Sequence, residues 1–330
     1  MPKVDVIVLN HNGRHFLRPC LTSLRHQTYQ DFQVTLVDNA STDGSVELAR
    51  AEFPEVGLLP LPENFGFCGG NNRGIKATSG QYLVLLNNDT EVAPECLQAL
   101  VDVLDRNPEV GFCASKMVRM SDGVTIDTAG DVFYTHGLGG KTGDGEPAEN
   151  YNEPRRVFGA CAGAAIYRRS MLDDIGLLDE DFFATDEDID LSFRAQLRNY
   201  RCQYVPEAVV YHHVGGAFGP PSANNICRGR RNMLEVLIKN MPAPLLRKYL
   251  PLILAYFVGG DIYYILRGQA AAIFKARWQN LRRLPRTMAK RSVIQDKRTV
   301  TLKELEKVFT SVGWAGVLSK CGRCLSNSVG

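Results

Sequence analysis

The first hundred residues alternate short apolar runs with amphipathic ones, and that alternation leaves few architectures open. Residues 4–9, 34–37, 57–60 and 82–86 are strand-length and apolar. Between them lie helical stretches at 16–27, with Leu17, Leu21 and Leu24 on one face, at 45–53 after the turn residues 39–44, and at 94–107. A further helix is expected at 72–78, after a Gly-rich loop. Apolar strands separated by amphipathic helices build an α/β fold with a mostly parallel sheet, because a parallel crossover needs a helix-length return that covers the sheet faces. Residues 121–156 break the pattern; rich in Gly, Asp, Glu and Pro, they read as a long loop on the substrate side. Regular structure resumes at 160–167, with a helix at 187–198 and strands at 202–205 and 208–211. Past residue 225 the signals turn helical. The expected organisation is an α/β domain over 1–240 and a helical, basic region over 241–330.

Hydrophobic residues make up 45% of the chain and charged ones 22%, the balance of a globular protein. Residues 4–9 are too short for a signal peptide's apolar region or a membrane span, so the start reads as a buried strand of a cytosol-facing protein. Nine cysteines at irregular spacing do not form a disulfide framework and are expected as small core residues in a reducing compartment. Charge is unevenly placed: residues 1–266 carry a net −9, whereas 267–303 carry +10, with Asp296 their one acid. That basic block follows the apolar stretch 249–266. The pairing points to an anionic surface as a partner.

Five segments carry polar chemistry within this frame. In VDNASTDGS, from Val37 to Ser45, a strand ends and leaves Asp38 at its C-terminal edge, where open α/β sheets bind ligands. A carboxylate there accepts hydrogen bonds from a nucleobase or a ribose; Asp38, Asn39, Ser41 and Asp43 also suit a turn and a helix N-cap. In ENFGFCGGNNRG, from Glu63 to Gly74, the glycines permit close backbone approach, and Asn71, Asn72 and Arg73 offer donors to a diphosphate at a helix start. A tight turn has the same composition. In YLVLLNNDTEV, from Tyr82 to Val92, the strand delivers Asn87, Asn88 and Asp89 to the sheet edge, where a hard divalent cation finds oxygen ligands or the chain simply turns.

In TDEDIDLSFR, from Thr185 to Arg194, four carboxylates fall within five residues. Such repulsion is retained beside a cation or where one carboxylate serves as a base; an exposed first helical turn is the plainer alternative. On a helix, Glu187, Asp190 and Arg194 lie at neighbouring positions and Asp188 points elsewhere. In VVYHHVGGAFG, from Val209 to Gly219, a strand ends at His212, whose imidazole suits a metal or a phosphate as well as ordinary packing.

In their order and spacing, from Val4 to Asn240, these segments resemble the family-2 inverting glycosyltransferases of the GT-A fold, and most of all their rhamnosyltransferase-like branch. The resemblance implies a sugar moved from a nucleotide-diphosphate donor to a glycan or polyprenyl-linked glycan, with dTDP-rhamnose the leading donor and a UDP-sugar the alternative. It places Asn10, Asn12, Asp38, Asn64, Gly70, Asn71, Asn72 and Asn88 on the donor side. It places Gly163, within GACAGAAIYRR, on the acceptor side with Glu187 and Asp190. Asp188 becomes the catalytic base, and Asp89 with His212 the ligands of Mg²⁺ or Mn²⁺; Asn87 stands where a first metal-motif carboxylate is frequent. One in-line displacement, with the hydroxyl deprotonated by Asp188, inverts the anomeric carbon.

The rivals fare less well. A sugar-nucleotide pyrophosphorylase or a dehydrogenase needs a Gly-rich phosphate loop after the first strand, and residues 10–13 (Asn-His-Asn-Gly) do not supply one. A degenerate module that only binds nucleotide or glycan would not need Asp38, Asp89, Asp188 and His212 intact. Nucleic acid is not an expected partner. The stretch 249–266 contains Pro251, Gly259, Gly260 and Asp261 and is followed by Arg and Lys, which favours a peripheral seat at the cytoplasmic face of an inner membrane over a crossing. A helical subdomain with a solvated basic face is the other reading. A single Cys321/Cys324 pair carries little weight as a zinc site.

Overall fold

The structure is a computed structural model, and it describes residues 2–215 and 222–311. Cys321, Cys324 and residues 216–219 of the Gly-rich turn lie outside the described residues. The chain divides into two compact units, Met1–Asp131 with Lys141–Pro220, and Val132–Gly140 with Pro221–Gly330.

The first unit is built on one mixed sheet. Its parallel half comprises β1 (Val4–Asn10), β2 (Phe32–Asp38), β3 (Gly57–Pro60) and β4 (Tyr82–Asn87) in the order β3-β2-β1-β4. Helices α1 (Arg14–Arg25), α2 (Ser45–Glu52), α3 (Gly66–Lys76) and α4 (Cys96–Arg106) supply the expected returns. Leu17, Leu21 and Leu24 of α1 are buried as their spacing requires, and they pack with Val4, Val6 and Val8 of the central strand. The short β5 (Thr90–Val92) and the long β6 (Val110–Arg119) follow. Asn10 pairs with Asp38 and Leu9 with Asn87, so three strands end level and present their last polar residues on one edge.

Three expectations are corrected. The Gly-rich loop is a helix: α3 starts at Gly66 (φ +72), not at Asn72, and two of its glycines, Gly70 and Gly74, face the sheet. A Cβ on Gly70 would come within 2.4 Å of a Leu9 methyl, and one on Gly74 within 2.7 Å of Ile7, so the small residues set how closely α3 lies on β1. Residues 121–156 are not one loop. They hold β7 (Ile126–Thr128), β8 (Asp131–Tyr134), β9 (Gly139–Lys141), a 3-10 turn at Ala148–Tyr151 and β10 (Arg155–Val157). These strands are three or four residues long, and β10 finds its partner in the distant β12, so no local periodicity announces them.

The third correction concerns the final strand. After β11 (Ala164–Arg168), α5 (Arg169–Ile175) and α6 (Glu187–Leu197), the two strands expected at 202–205 and 208–211 are a single β12 (Arg201–His212). A register shift between Val205 and Val209 interrupts its pairing with β6, where Pro206 has no N–H to give to the ladder. β11 inserts antiparallel between β4 and β6, and β12 pairs parallel to β6 and antiparallel to β5.

The second unit contains α7 (Ala223–Asn240), α8 (Ala243–Tyr264), α9 (Ala270–Asp296), α10 (Leu302–Glu306) and a small sheet in which β8 lies between β9 and β13 (Phe309–Thr310). α7 packs against α9 around buried Cys227, Ala272 and Ala276. The seven described cysteines are free, and six of them are buried.

Candidate active site

The site is assembled at the C-terminal edge of the parallel strands. Asn10 is fully buried; its amide donates to Asp38 (3.0 Å) and to the Ser41 hydroxyl (3.0 Å), and its oxygen accepts from Asn88 (2.6 Å). The second Asp38 oxygen accepts from the Ser41 backbone N–H (2.9 Å). Asn12, in the left-handed region at φ 52, accepts from the Thr42 N–H (2.8 Å). Asn64 accepts from Asn39 (3.0 Å) and from the Gly66 N–H (2.8 Å), which fixes the entry to α3. Asn10, Asn12, Asp38, Asn64 and Asn88 therefore share one interlocked rim. The rim also uses Asn39, a residue that the sequence offers only as a turn former.

Asn71 and Asn72 stand differently. Both lie inside α3 rather than at its start. Asn72 is buried, donates to the Leu178 carbonyl (2.8 Å) and to Glu180 (3.0 Å), and accepts from the Leu178 N–H (3.1 Å), so its side chain holds the segment before α6. Asn71 donates back to the Phe67 carbonyl (3.0 Å), and its buried oxygen has no hydrogen-bond partner. Gly70 serves packing, as above.

Asp89 is 1% exposed, and one of its oxygens makes no hydrogen bond within the protein. That oxygen lies 3.4 Å from His212 Nε2. The pairing of β5 with β12 sets His212 opposite Thr90, which brings the imidazole beside Asp89. On its other side, His212 Nδ1 meets Asp127 Oδ2 at 2.9 Å, and Lys141 holds the second Asp127 oxygen at 2.6 Å. Burial pushes the imidazole down, but the hydrogen bond to Asp127 and the neighbouring Asp89 and Asp127 charges outweigh it and raise His212 to about 9. Burial likewise pushes Asp127 up; the His212 hydrogen bond and the Lys141 charge overcome this and hold it at about 2.

An orphaned carboxylate oxygen facing an imidazole nitrogen, with the other nitrogen fixed by a carboxylate, is a donor set that suits Mg²⁺ or Mn²⁺. Among the described residues no cluster of three His, Cys, Asp or Glu is arranged to hold a metal. Two protein donors are nonetheless the number expected where substrate phosphates complete the shell.

Asp188 sits in the first turn of α6. Three non-glycine residues just before it, Phe183, Thr185 and Asp186, have φ between 64 and 67, a concentration of left-handed backbone that is costly away from functional sites. The loop they form packs at the start of α3: the Cys68 N–H donates to the Phe183 carbonyl (3.1 Å). Asp188 accepts from the Ile189 N–H (2.8 Å) and from the Ala162 backbone. Gly163, next to Ala162, accepts the Asn87 N–H at 2.9 Å, which joins the acceptor-side segment to the metal-motif strand.

Desolvation raises the Asp188 carboxyl above its ordinary value. Asp131, 3% exposed and with one oxygen unbonded, is raised well above its own by burial and by the charge of Asp188. Two such acids do not both ionise. Asp131 is the more buried of the two; Asp188 accepts hydrogen bonds from two backbone N–H groups.

Asp190, expected on the acceptor side, is engaged within the protein. It is fully buried and pairs with Arg194 at 2.9 Å, as the i,i+4 spacing predicts. Arg194 in turn donates to the carbonyls of Ile175, Gly176 and Leu177. Glu187 is also buried, at 7% exposure. Asp127, Asp131 and Lys141 were not singled out from the sequence, because they lie in the stretch read as loop; the polar-apolar alternation on either side of Gly130 is the signal that could have marked them.

A mixed sheet whose parallel strands gather polar residues at one edge, with helices on the returns, is the arrangement of the GT-A fold. Residues 5–176 match Glycosyl transferase family 2, and the chain belongs to that family. Within it, the chain resembles the rhamnosyltransferase-like branch. It is 28% identical over 246 residues to an N-acetylglucosaminyl-diphospho-decaprenol L-rhamnosyltransferase of Mycobacterium tuberculosis, a match covering 68% of this chain and 80% of that protein. Among solved structures, it is similar to the mannosyltransferase PcManGT of Pyrobaculum calidifontis, in complex with GDP-Man and Mn²⁺ (TM-score 0.54, 18% identity, 90% of this chain and 85% of that one). It is also similar to S. aureus TarS (TM-score 0.59, 17% identity), of which it spans 54% while 93% of this chain is covered. At these identities the structural likeness establishes the fold.

Proposed function

We propose that this glycosyltransferase moves a sugar, with inversion, from a nucleotide-diphosphate donor to a hydroxyl of a lipid-linked glycan in surface polysaccharide synthesis. What supports the reading most is the contrast in surroundings at one acid pair: Asp131 is buried with one oxygen unbonded, whereas Asp188 is half-buried beside the acceptor-side segment and accepts from two backbone N–H groups. Asp188 deprotonates the acceptor hydroxyl, and the oxygen attacks the anomeric carbon as the bond to the diphosphate breaks. The interlocked rim of Asn10, Asp38, Asn64 and Asn88 orients the nucleotide. Asp89 and His212 would hold Mg²⁺ or Mn²⁺, which when bound offsets the charge gathering on the diphosphate. Asp131 is too buried to serve as a covalent nucleophile, which accords with single displacement.

The name of the rhamnosyltransferase relative suggests rhamnose as the sugar and a sugar diphosphate-polyprenol as acceptor, and dTDP-rhamnose is the donor proposed here. An anionic membrane surface, at the cytoplasmic face of an inner membrane, is the partner that such an acceptor requires. Assaying nucleotide-diphosphate release across dTDP-, UDP- and GDP-sugars, with and without EDTA, tests the reading. One donor class should turn over, chelator should abolish it, and the product's anomeric configuration by NMR should be opposite to the donor's. Retention, or full activity in chelator, would overturn the mechanism; turnover of a UDP-sugar alone would replace the donor.

A further inference from the structure

The helices of the second unit leave an unusual amount of apolar surface uncovered. On α8, Leu250, Leu254, Val258 and Ile262 recur at every fourth residue and are 42–53% exposed. On α9, Phe274, Trp278, Leu281, Leu284 and Met288 follow at three- and four-residue steps, which is one stripe of a helix, with exposures from 38% to 68%. Their neighbours one position round are inside: Ile253 and Phe257 on α8, Ala272, Ile273 and Ala276 on α9. Each helix is therefore two-faced. Beside the α9 stripe, Lys275, Arg282 and Arg286 are exposed, part of the +10 block of residues 267–303.

The length of this surface bears on how it would meet a bilayer. By length and composition α8 with α9 contains a run apolar enough to cross one. Yet Lys248 and Asp261 bracket only twelve uncharged residues. At about 1.5 Å per residue that is about 18 Å, against about 30 Å of hydrocarbon. Asp261 is also tied sideways: it accepts from Arg230 of α7 at 2.7 Å and from Arg277 of α9 at 2.7 Å. Between the helices the backbone bends at Gly268 (φ 76). A helix that is apolar on one stripe, flanked by basic residues and carrying Trp and Phe, suits the plane of the headgroup–acyl boundary rather than a crossing.

We propose that α8 and α9 form an in-plane membrane face, bedded in one leaflet of an anionic bilayer through the Leu250–Ile262 and Phe274–Met288 stripes, with Lys275, Arg282 and Arg286 on the headgroups. The proposal rests on the reading of this enzyme as one that works at an anionic membrane and says which surface seats it and how deeply.

The test uses the full chain carrying Trp314→Phe, so that Trp278 alone reports, with vesicles of phosphatidylcholine alone or mixed with phosphatidylglycerol. The protein should float with the mixed vesicles and at least about tenfold less with the neutral ones. Brominated lipids labelled near the glycerol end of the chain should quench Trp278 more than lipids labelled near the chain terminus. The triple variant Phe274→Glu/Trp278→Glu/Leu281→Glu, in the otherwise native chain, should lose flotation by about 100-fold or more while keeping its circular dichroism. Lys275→Gln/Arg282→Gln/Arg286→Gln, a milder change, should lose the preference for phosphatidylglycerol. If the starting protein does not float at all, the membrane reading itself fails. If it floats but the triple variant floats equally, the seat lies elsewhere and this proposal fails alone. Deepest quenching at the bilayer centre would mean a crossing helix. A dimer in solution that the triple variant dissolves, without lipid binding by either form, would give the face to a second copy.

Discussion

Two polar regions of the first unit, both at the end of the sheet, contrast in how much of their hydrogen-bonding capacity is spent. In the rim of Asn10, Asn12, Asp38, Asn39 and Asn64 the side chains are engaged with one another and with backbone. Around Asp89, Asp131 and Asp188, buried oxygens are left without partners or acids are raised by lost hydration. A satisfied network is rigid and positions what binds to it; an unsatisfied buried carboxylate is costly and endures where a ligand, a metal or a proton completes it. Asp188 and Asp190, two residues apart on one helix, fall on opposite sides of this division.

The hardest test of the contrast is at Asp188. Asp188→Asn removes the proton acceptor with little change of volume, so kcat should fall by about 10²–10⁴ while the donor's Kd, by calorimetry, stays within a few-fold. Near-normal kcat would move the base elsewhere. Asp190→Asn should do the reverse. Leaving Arg194 buried without its carboxylate should cost about 3–5 kcal/mol of stability in urea unfolding, with kcat of the folded protein little changed. A stable, inactive Asp190→Asn would place Asp190 in the chemistry and undo the division.

A smaller effect sharpens the metal side. Asp127 fixes the imidazole through Nδ1 and turns Nε2 toward Asp89. Asp127→Ala should weaken Mn²⁺ binding by about 10–100-fold, measured by calorimetry or electron paramagnetic resonance, and Asp127→Asn, which can still accept the Nδ1–H, should weaken it less. Equal Mn²⁺ affinity in all three proteins would make Asp127 a packing residue. The smallest expected effect is in the pH profile. Burial raises Asp188, so its protonated, inactive form persists above the ordinary aspartate range. The acid limb of kcat/KM should lie above about pH 4, the unperturbed value, and activity should rise with pH through it. A limb at or below that value would mean that Asp188 is not desolvated in the working enzyme.

Much of this was legible in order along the chain. The alternation of apolar and amphipathic runs dictated a parallel sheet, since the 3.6 and 2.0 periodicities are local properties that any fold must honour. The strand ends place Asp38 and Asn87–Asp89 at one edge, because parallel strands of similar length end together. The i,i+4 step likewise foretold Asp190 with Arg194.

What the tertiary structure alone decided is where non-local pairing governs. The strands of residues 126–157 are too short to have a period, and only their partners, β6 for β7, β12 for β10 and β13 for β8, make them strands. That pairing is what carries Asp127 to His212, 85 residues away in sequence, and sets Asp131 beside the charge of Asp188. The packing of α3 likewise turned Asn72 inward, onto Leu178 and Glu180, and made Gly70 and Gly74 the contact of a helix with a sheet. A sequence states which groups are available; whether a carboxylate is spent on an arginine or left for a substrate depends on desolvation and on neighbours that the fold brings from far along the chain.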